Sequence, residues 1–127
     1  MARLAENYAR HREALPEGAR GTSLPVPVMR TVFASRSAER LREVRDALVR
    51  QAAALALAPG PAFRRLAGVG LEEFAIVGEP EAVCDGIARY REELGMTHLV
   101  VRAQVPGLPA ELAEESLALV AELAASA

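Results

Sequence analysis

Phe74-Ala75-Ile76-Val77-Gly78-Glu79-Pro80-Glu81-Ala82-Val83 holds the transition that decides the fold. The run from Phe74 to Val77 is apolar without alternation. That pattern predicts a short strand covered on both faces, as in a parallel sheet. Gly78 to Glu81 then turns the chain. Pro80 suits the first position of a helix, where its missing N–H costs nothing. Val83, Ile87, Tyr90 and Leu94 repeat at steps of four, three and four, so the spacing predicts a helix over 80–94. Gly95 follows as a residue suited to the left-handed conformation that ends helices.

The same grammar extends in both directions. Thr97-His98-Leu99-Val100-Val101-Arg102 reads as a further strand, residues 104–109 as a loop, and Pro109 opens a last helix. Leu112, Leu119 and Leu123, with Leu117 and Val120 beside them, carry its apolar side. Upstream, the β-branched and aromatic residues of 28–34 predict a strand. Ser35-Arg36-Ser37 offers a capping hydroxyl. A helix then runs over 38–56 on a stripe of Leu41, Val44, Leu48 and Leu55, until Pro59-Gly60-Pro61 stops it. Residues 62–73, with Phe63, Leu66 and Leu71, fit a short helix or a packed loop equally. At the start, Leu4, Tyr8, His11 and Leu15 mark a helix over 2–15, and the glycines and prolines of 16–27 mark a loop. The order is a helix followed by three strand–helix units, the pattern of a parallel α/β sheet.

Composition narrows the function. The 127 residues are 51% hydrophobic and 25% charged, which is ordinary for a globular domain. The net charge of −2 argues against a general nucleic-acid binder. Cys84 is the sole cysteine, so no intrachain disulfide forms, and with His11 and His98 the only histidines a Cys/His zinc site is not expected. The longest apolar run, Ala52 to Ala58, falls far short of the roughly 18 residues of a membrane span. No secretory leader is visible, and the expected location is the cytoplasm. Charge is uneven: residues 1–70 carry twelve arginines against six carboxylates, and residues 71–127 carry three against eleven. A basic anion-binding half, two halves that attract across a shared interface, or solvated helix faces each fit that division.

The run 74–83, together with Tyr90-Arg91 and Glu93-Leu94-Gly95-Met96-Thr97-His98-Leu99-Val100-Val101-Arg102, resembles the C-terminal end of the bacterial luciferase-like monooxygenase family. The Pro106-Gly107 loop is similar too, and Met29-Arg30-Thr31-Val32-Phe33-Ala34 looks like the family's preceding strand. The resemblance spans about residues 28–125. It implies a flavin-dependent oxidoreductase on a (β/α)8 TIM barrel, with FMN or the deazaflavin F420 as cofactor and a small organic substrate. The family usually caps the turn with Ser or Thr where this chain has Glu79. A carboxylate can also accept from helix N–H groups and suits the positive helix end. A full barrel takes about 250 residues. The expectation is therefore three parallel βα units (28–127, after an N-terminal helix and loop, 1–27), incomplete on their own.

In such a barrel the site lies at the C-terminal ends of the strands. That nominates Ser35 and Arg36 after the first strand, Gly78 and Glu79 after the second, and Arg102 and Gln104 after the third. Ser35, Gly78, Glu79 and Arg102 are the candidate cofactor contacts. Arg102 would hold a flavin phosphate or an acidic substrate, or else form a salt bridge with a helix carboxylate. His98 is an acid–base group or a hydrogen-bonded structural histidine, and His11 is structural. Cys84 is a packing residue. Glu79 and Glu81 complement the helix dipole. Arg64-Arg65 is a solvated pair or a phosphate contact. Gly68-Val69-Gly70 lacks the spacing of a dinucleotide fingerprint. No catalytic residue and no metal site is assigned. Two functions remain open: the closing section of a luciferase-like enzyme, inactive alone, or a noncatalytic subunit that completes a barrel with a partner chain or further copies of itself.

Overall fold

A computed structural model describes residues 2–20, 24–64 and 68–126. The elements are α1 (Ala2–Ala14), α2 (Glu17–Arg20), β1 (Pro27–Ala34), α3 (Ala38–Ala56), α4 (Pro61–Arg64), a 3-10 turn (Leu71–Glu73), β2 (Ala75–Gly78), α5 (Pro80–Leu94), β3 (His98–Arg102) and α6 (Ala110–Ser126). The mixed α/β class and the all-parallel pairing expected from the sequence are present. No helix among the described residues is long and apolar enough to cross a membrane.

The caps explain the helix bounds. Ser37 accepts the Arg40 N–H at the start of α3, and Gly95 ends α5 at φ 66°. Glu79 occupies the N-cap of α5 but its side chain caps nothing. Its carboxylate stands one methylene further from the backbone than that of Asp, the usual acidic cap. Within the expected 16–27 loop, α2 forms because Arg20 turns back, donating from Nε to the Leu15 carbonyl and from Nη2 to that of Glu13. Those carbonyls close α1, and carbonyls at a helix end need such partners. Of the ambiguous stretch 62–73, Pro61–Arg64 and Leu71–Glu73 form short helical turns. Leu66 and Arg65 lie outside the described residues.

The strand order is β2-β1-β3. A barrel takes successive strands as neighbours, with every helix outside. Here the chain moves from β1 to one side, then crosses back over β1 to the other. Right-handed crossovers in opposite directions put the connecting helices on opposite faces. The side chains show this arrangement. Phe33, Leu41, Val44, Ala47, Leu48 and Ala75 form one core under α3. Val28, Val32, Ile76, Val83, Tyr90, Leu94 and Val120 form another under α5 and α6, with Leu4 and Tyr8 of α1 at its margin. An open three-stranded sheet has two apolar faces, and helices on both sides bury them. The sheet is therefore open and doubly wound, and its order departs from that of a barrel tail.

The strands are staggered. β3 pairs with Pro27 to Thr31, and β2 pairs with Thr31 to Ala34. Thr31 alone has a strand on each side. Arg30 lies on the α5 face, where its Nε donates to the Tyr90 hydroxyl at 2.7 Å and its guanidinium sits 5.1 Å from the ring centroid. That contact lets a charge lie in the middle of the central strand.

Candidate functional site

The order β2-β1-β3 makes a switch point between β1 and β3. In open α/β sheets ligands bind in the crevice outside the strands' carboxyl ends at such a point. A cleft of about 390 Å³ lies there. Phe33 to Ser37 and Arg40 form one wall, and Leu112, Glu115 and Leu119 of α6 form the other.

Local structure builds this cleft. Past Thr31, β1 has lost its neighbour on the β3 side. Within a parallel strand, successive residues direct their N–H and C=O to alternate sides. The Ser35 N–H donates to the Gly78 carbonyl, toward β2. The Ala34 N–H therefore points toward the missing strand. It donates instead to Ser116 Oγ of α6, at 2.9 Å. Ser116 and Ala34 are each 1% exposed, so this hydroxyl fills the strand's place. The two ends of α6 reach the two cores: Leu112 packs on the α3 side, and Val120 with Leu123 on the α5 side. Arg40 and Glu115 form an ion pair between α3 and α6.

Ser35 is buried, and its Oγ accepts the Ser37 N–H at 3.1 Å. Ser37 caps α3. Arg36 is exposed at the same turn. The loop thus presents two hydroxyls and a guanidinium at the positive end of a 19-residue helix. An anion is the ligand such an end favours, although Glu115 sets one negative charge in the opposite wall.

Two of the four candidate contacts meet. Ser35 and Gly78 are joined by the backbone bond above. Gly78 is buried, and a Cβ there would stand 2.9 Å from the Ala82 Cβ. Its bareness lets the first turn of α5 approach β2. Glu79 is exposed beside it, and Arg102 stands apart from the cleft. The Arg102 guanidinium donates from Nε and Nη2 to Thr31 Oγ1, at 3.2 and 2.9 Å, on the α3 face of the sheet. No carboxylate among the described residues pairs with it.

The remaining candidates lie elsewhere. His98 is exposed, with Nδ1 2.8 Å from Thr97 Oγ1, and His11 is exposed on α1. Cys84 is half-buried on α5. Arg64 is exposed at the end of α4. Gly68-Val69-Gly70 leads into the 3-10 turn. Gln104 is exposed between two buried residues, Ala103 and Val105.

Sequence reasoning missed Arg40, Glu115 and Ser116. Ser116 had a readable signal: it is a small polar residue set four after Leu112 and four before Val120 on the apolar side of α6. Comparison with protein-family models, with curated proteins and with solved structures gives no match for this chain.

Proposed function

We propose that this chain is the closing section of a luciferase-like flavin-dependent oxidoreductase and has no turnover alone. The observation that carries the reading is the cleft at the carboxyl end of β1. There Ser35, Arg36 and Ser37 surround the N-terminus of α3, and the resemblance would put a flavin phosphate on this side of the sheet.

The fit to a flavin is partial. The hydroxyls of Ser35 and Ser37, the Arg36 guanidinium and the helix end suit a phosphate. About 390 Å³ is near the lower end of small-molecule pockets. Among the described residues, Phe33, Leu112 and Leu119 are the large apolar side chains lining it. The isoalloxazine ring would need a slot built by other strands. When bound, the flavin supplies the redox chemistry. This chain's own residues hold and orient its anionic end, and α6 shields that end from water.

The strand order favours a second reading. β2-β1-β3 is not barrel order, so the chain also fits a noncatalytic subunit completed by a partner. One experiment separates the two. The native protein is captured from its source cells with an antibody to α6, then analysed for intact mass and bound flavin. A single polypeptide well above 13.5 kDa with stoichiometric flavin supports the first reading. A 13.5 kDa polypeptide held to another protein, without flavin, supports the second. A flavin-free 13.5 kDa monomer overturns both.

A further inference from the structure

β3 leaves an edge and part of a face uncovered, and the two adjoin. The N–H groups of Thr97 and His98 both donate to the Val26 carbonyl, toward β1, and the His98 bond begins the ladder. By alternation from His98, Val100 and Arg102 also face β1, and the backbone groups of Leu99 and Val101 face outward. No side chain among the described residues bonds to the outward groups of Leu99 or Val101. The side chains of His98, Val100 and Arg102 share the α3 face of the sheet with Met29. α3 reaches only the other end of that face. Met29 is 62% exposed and Val100, its partner in register, is 50% exposed.

The opposite edge is treated differently. The outward Val77 carbonyl of β2 accepts from Arg45 Nη2 at 3.1 Å, so a side chain blocks that edge. An edge left open beside bare apolar side chains is a template for another strand.

We propose that β3 takes an added extended segment carrying carboxylates two residues either side of an apolar residue. This rests on the reading that further strands complete the sheet, and it states what one of them looks like. The apolar residue would lie over Val100 and Met29. A carboxylate would meet Arg102, whose guanidinium has two N–H groups on Thr31 and, among the described residues, none on a carboxylate. The other carboxylate would lie beside His98. Charge complementarity of this kind selects the partner and its register. A second copy is a poor occupant. Antiparallel β3–β3 pairing would set His98 against Arg102, and the β2 edge is blocked by Arg45.

The probe is a fluorescent peptide with the core Glu-Thr-Val-Thr-Glu, which reads alike in either strand direction. The control core is Lys-Thr-Val-Thr-Lys. Binding is followed by anisotropy on the full chain. The glutamate peptide should bind at least tenfold more tightly than the lysine peptide, and Arg102→Glu should reverse the preference. Val101→Pro removes an outward N–H and spares the β1 ladder, so it should abolish binding of both peptides while the circular dichroism spectrum is retained. Equal binding of the two peptides, binding of neither, or binding unaffected by Val101→Pro overturns the proposal. So does a stable dimer of the free chain that Val101→Pro dissociates. A larger flavin-containing native species combined with no peptide binding would sink this strand assignment and leave the enzyme reading standing.

Discussion

Ser116→Ala isolates one hydrogen bond with a magnitude that can be worked out. The substitution removes the hydroxyl that accepts the Ala34 N–H, at a site where both residues are 1% exposed. A buried donor left without a partner costs about 1–3 kcal/mol. Alanine is the better helix former by about 0.5 kcal/mol, which offsets part of the loss. The net expectation is a destabilisation of about 0.5–2.5 kcal/mol. For a domain of this size, about 2 kcal/mol lowers the melting temperature by roughly 6–12 °C. Urea titration of the wild type, Ser116→Ala and Glu114→Ala measures it. Glu114 is exposed on the same helix, so its replacement reports propensity alone. Amide exchange at Ala34 should accelerate in Ser116→Ala and not in Glu114→Ala. If the two variants are equally stable and Ala34 stays protected, Ser116 does not stand in for the missing strand.

Gly86→Ala sets helix propensity against packing. The added Cβ would lie 2.7 Å from Cγ2 of Ile76, a stiff branched side chain in the core. Overpacking of about 1–3 kcal/mol exceeds the roughly 1 kcal/mol gained by removing a mid-helix glycine. Urea titration should therefore show a loss of stability, and a gain would refute the close approach. Gly95→Ala forces a side chain into the left-handed region at φ 66° and should cost about 1–2 kcal/mol by the same assay. Arg40→Ala breaks an ion pair whose side chains are 43% and 54% exposed. Calorimetry should find a change under about 1 kcal/mol, and a larger one would mean that α6 depends on that pair.

Local chemistry made much of this fold legible. The bounds of α3 and α5 follow from Ser37, Pro80 and Gly95, residues whose preferences act within a turn or two. β2 could be read from Phe74 to Val77 because an unalternated apolar run needs two covered faces. The order of the strands could not be read in this way. It depends on which helix covers which face of β1, a choice made across tens of residues. The site divides along the same line. Ser35 and Gly78 share an edge because each ends a strand, which sequence reveals. The Ser116 hydroxyl reaches Ala34 from 82 residues away. The place of Arg102 at a strand end suggests an anion contact, whereas the period of two sets it on the face with Thr31, apart from the cleft.

The stagger of the sheet also bears on how the chain comes together. The ladder from β1 to β2 joins residues 44 apart at Thr31 and Ala75. The ladder from β1 to β3 joins residues 71 apart, as between Thr31 and Arg102. Closing longer loops costs more entropy before any contact rewards it, and non-local pairing of this kind folds slowly. On a ribosome, β1 emerges well before either neighbour exists. Its upper half gains β2 first, its lower half waits for β3, and the donor at Ala34 stays unmatched until α6 has been made. The central strand is thus the first to be synthesised and the last to be completed, and until then its open sides depend on whatever else shields them.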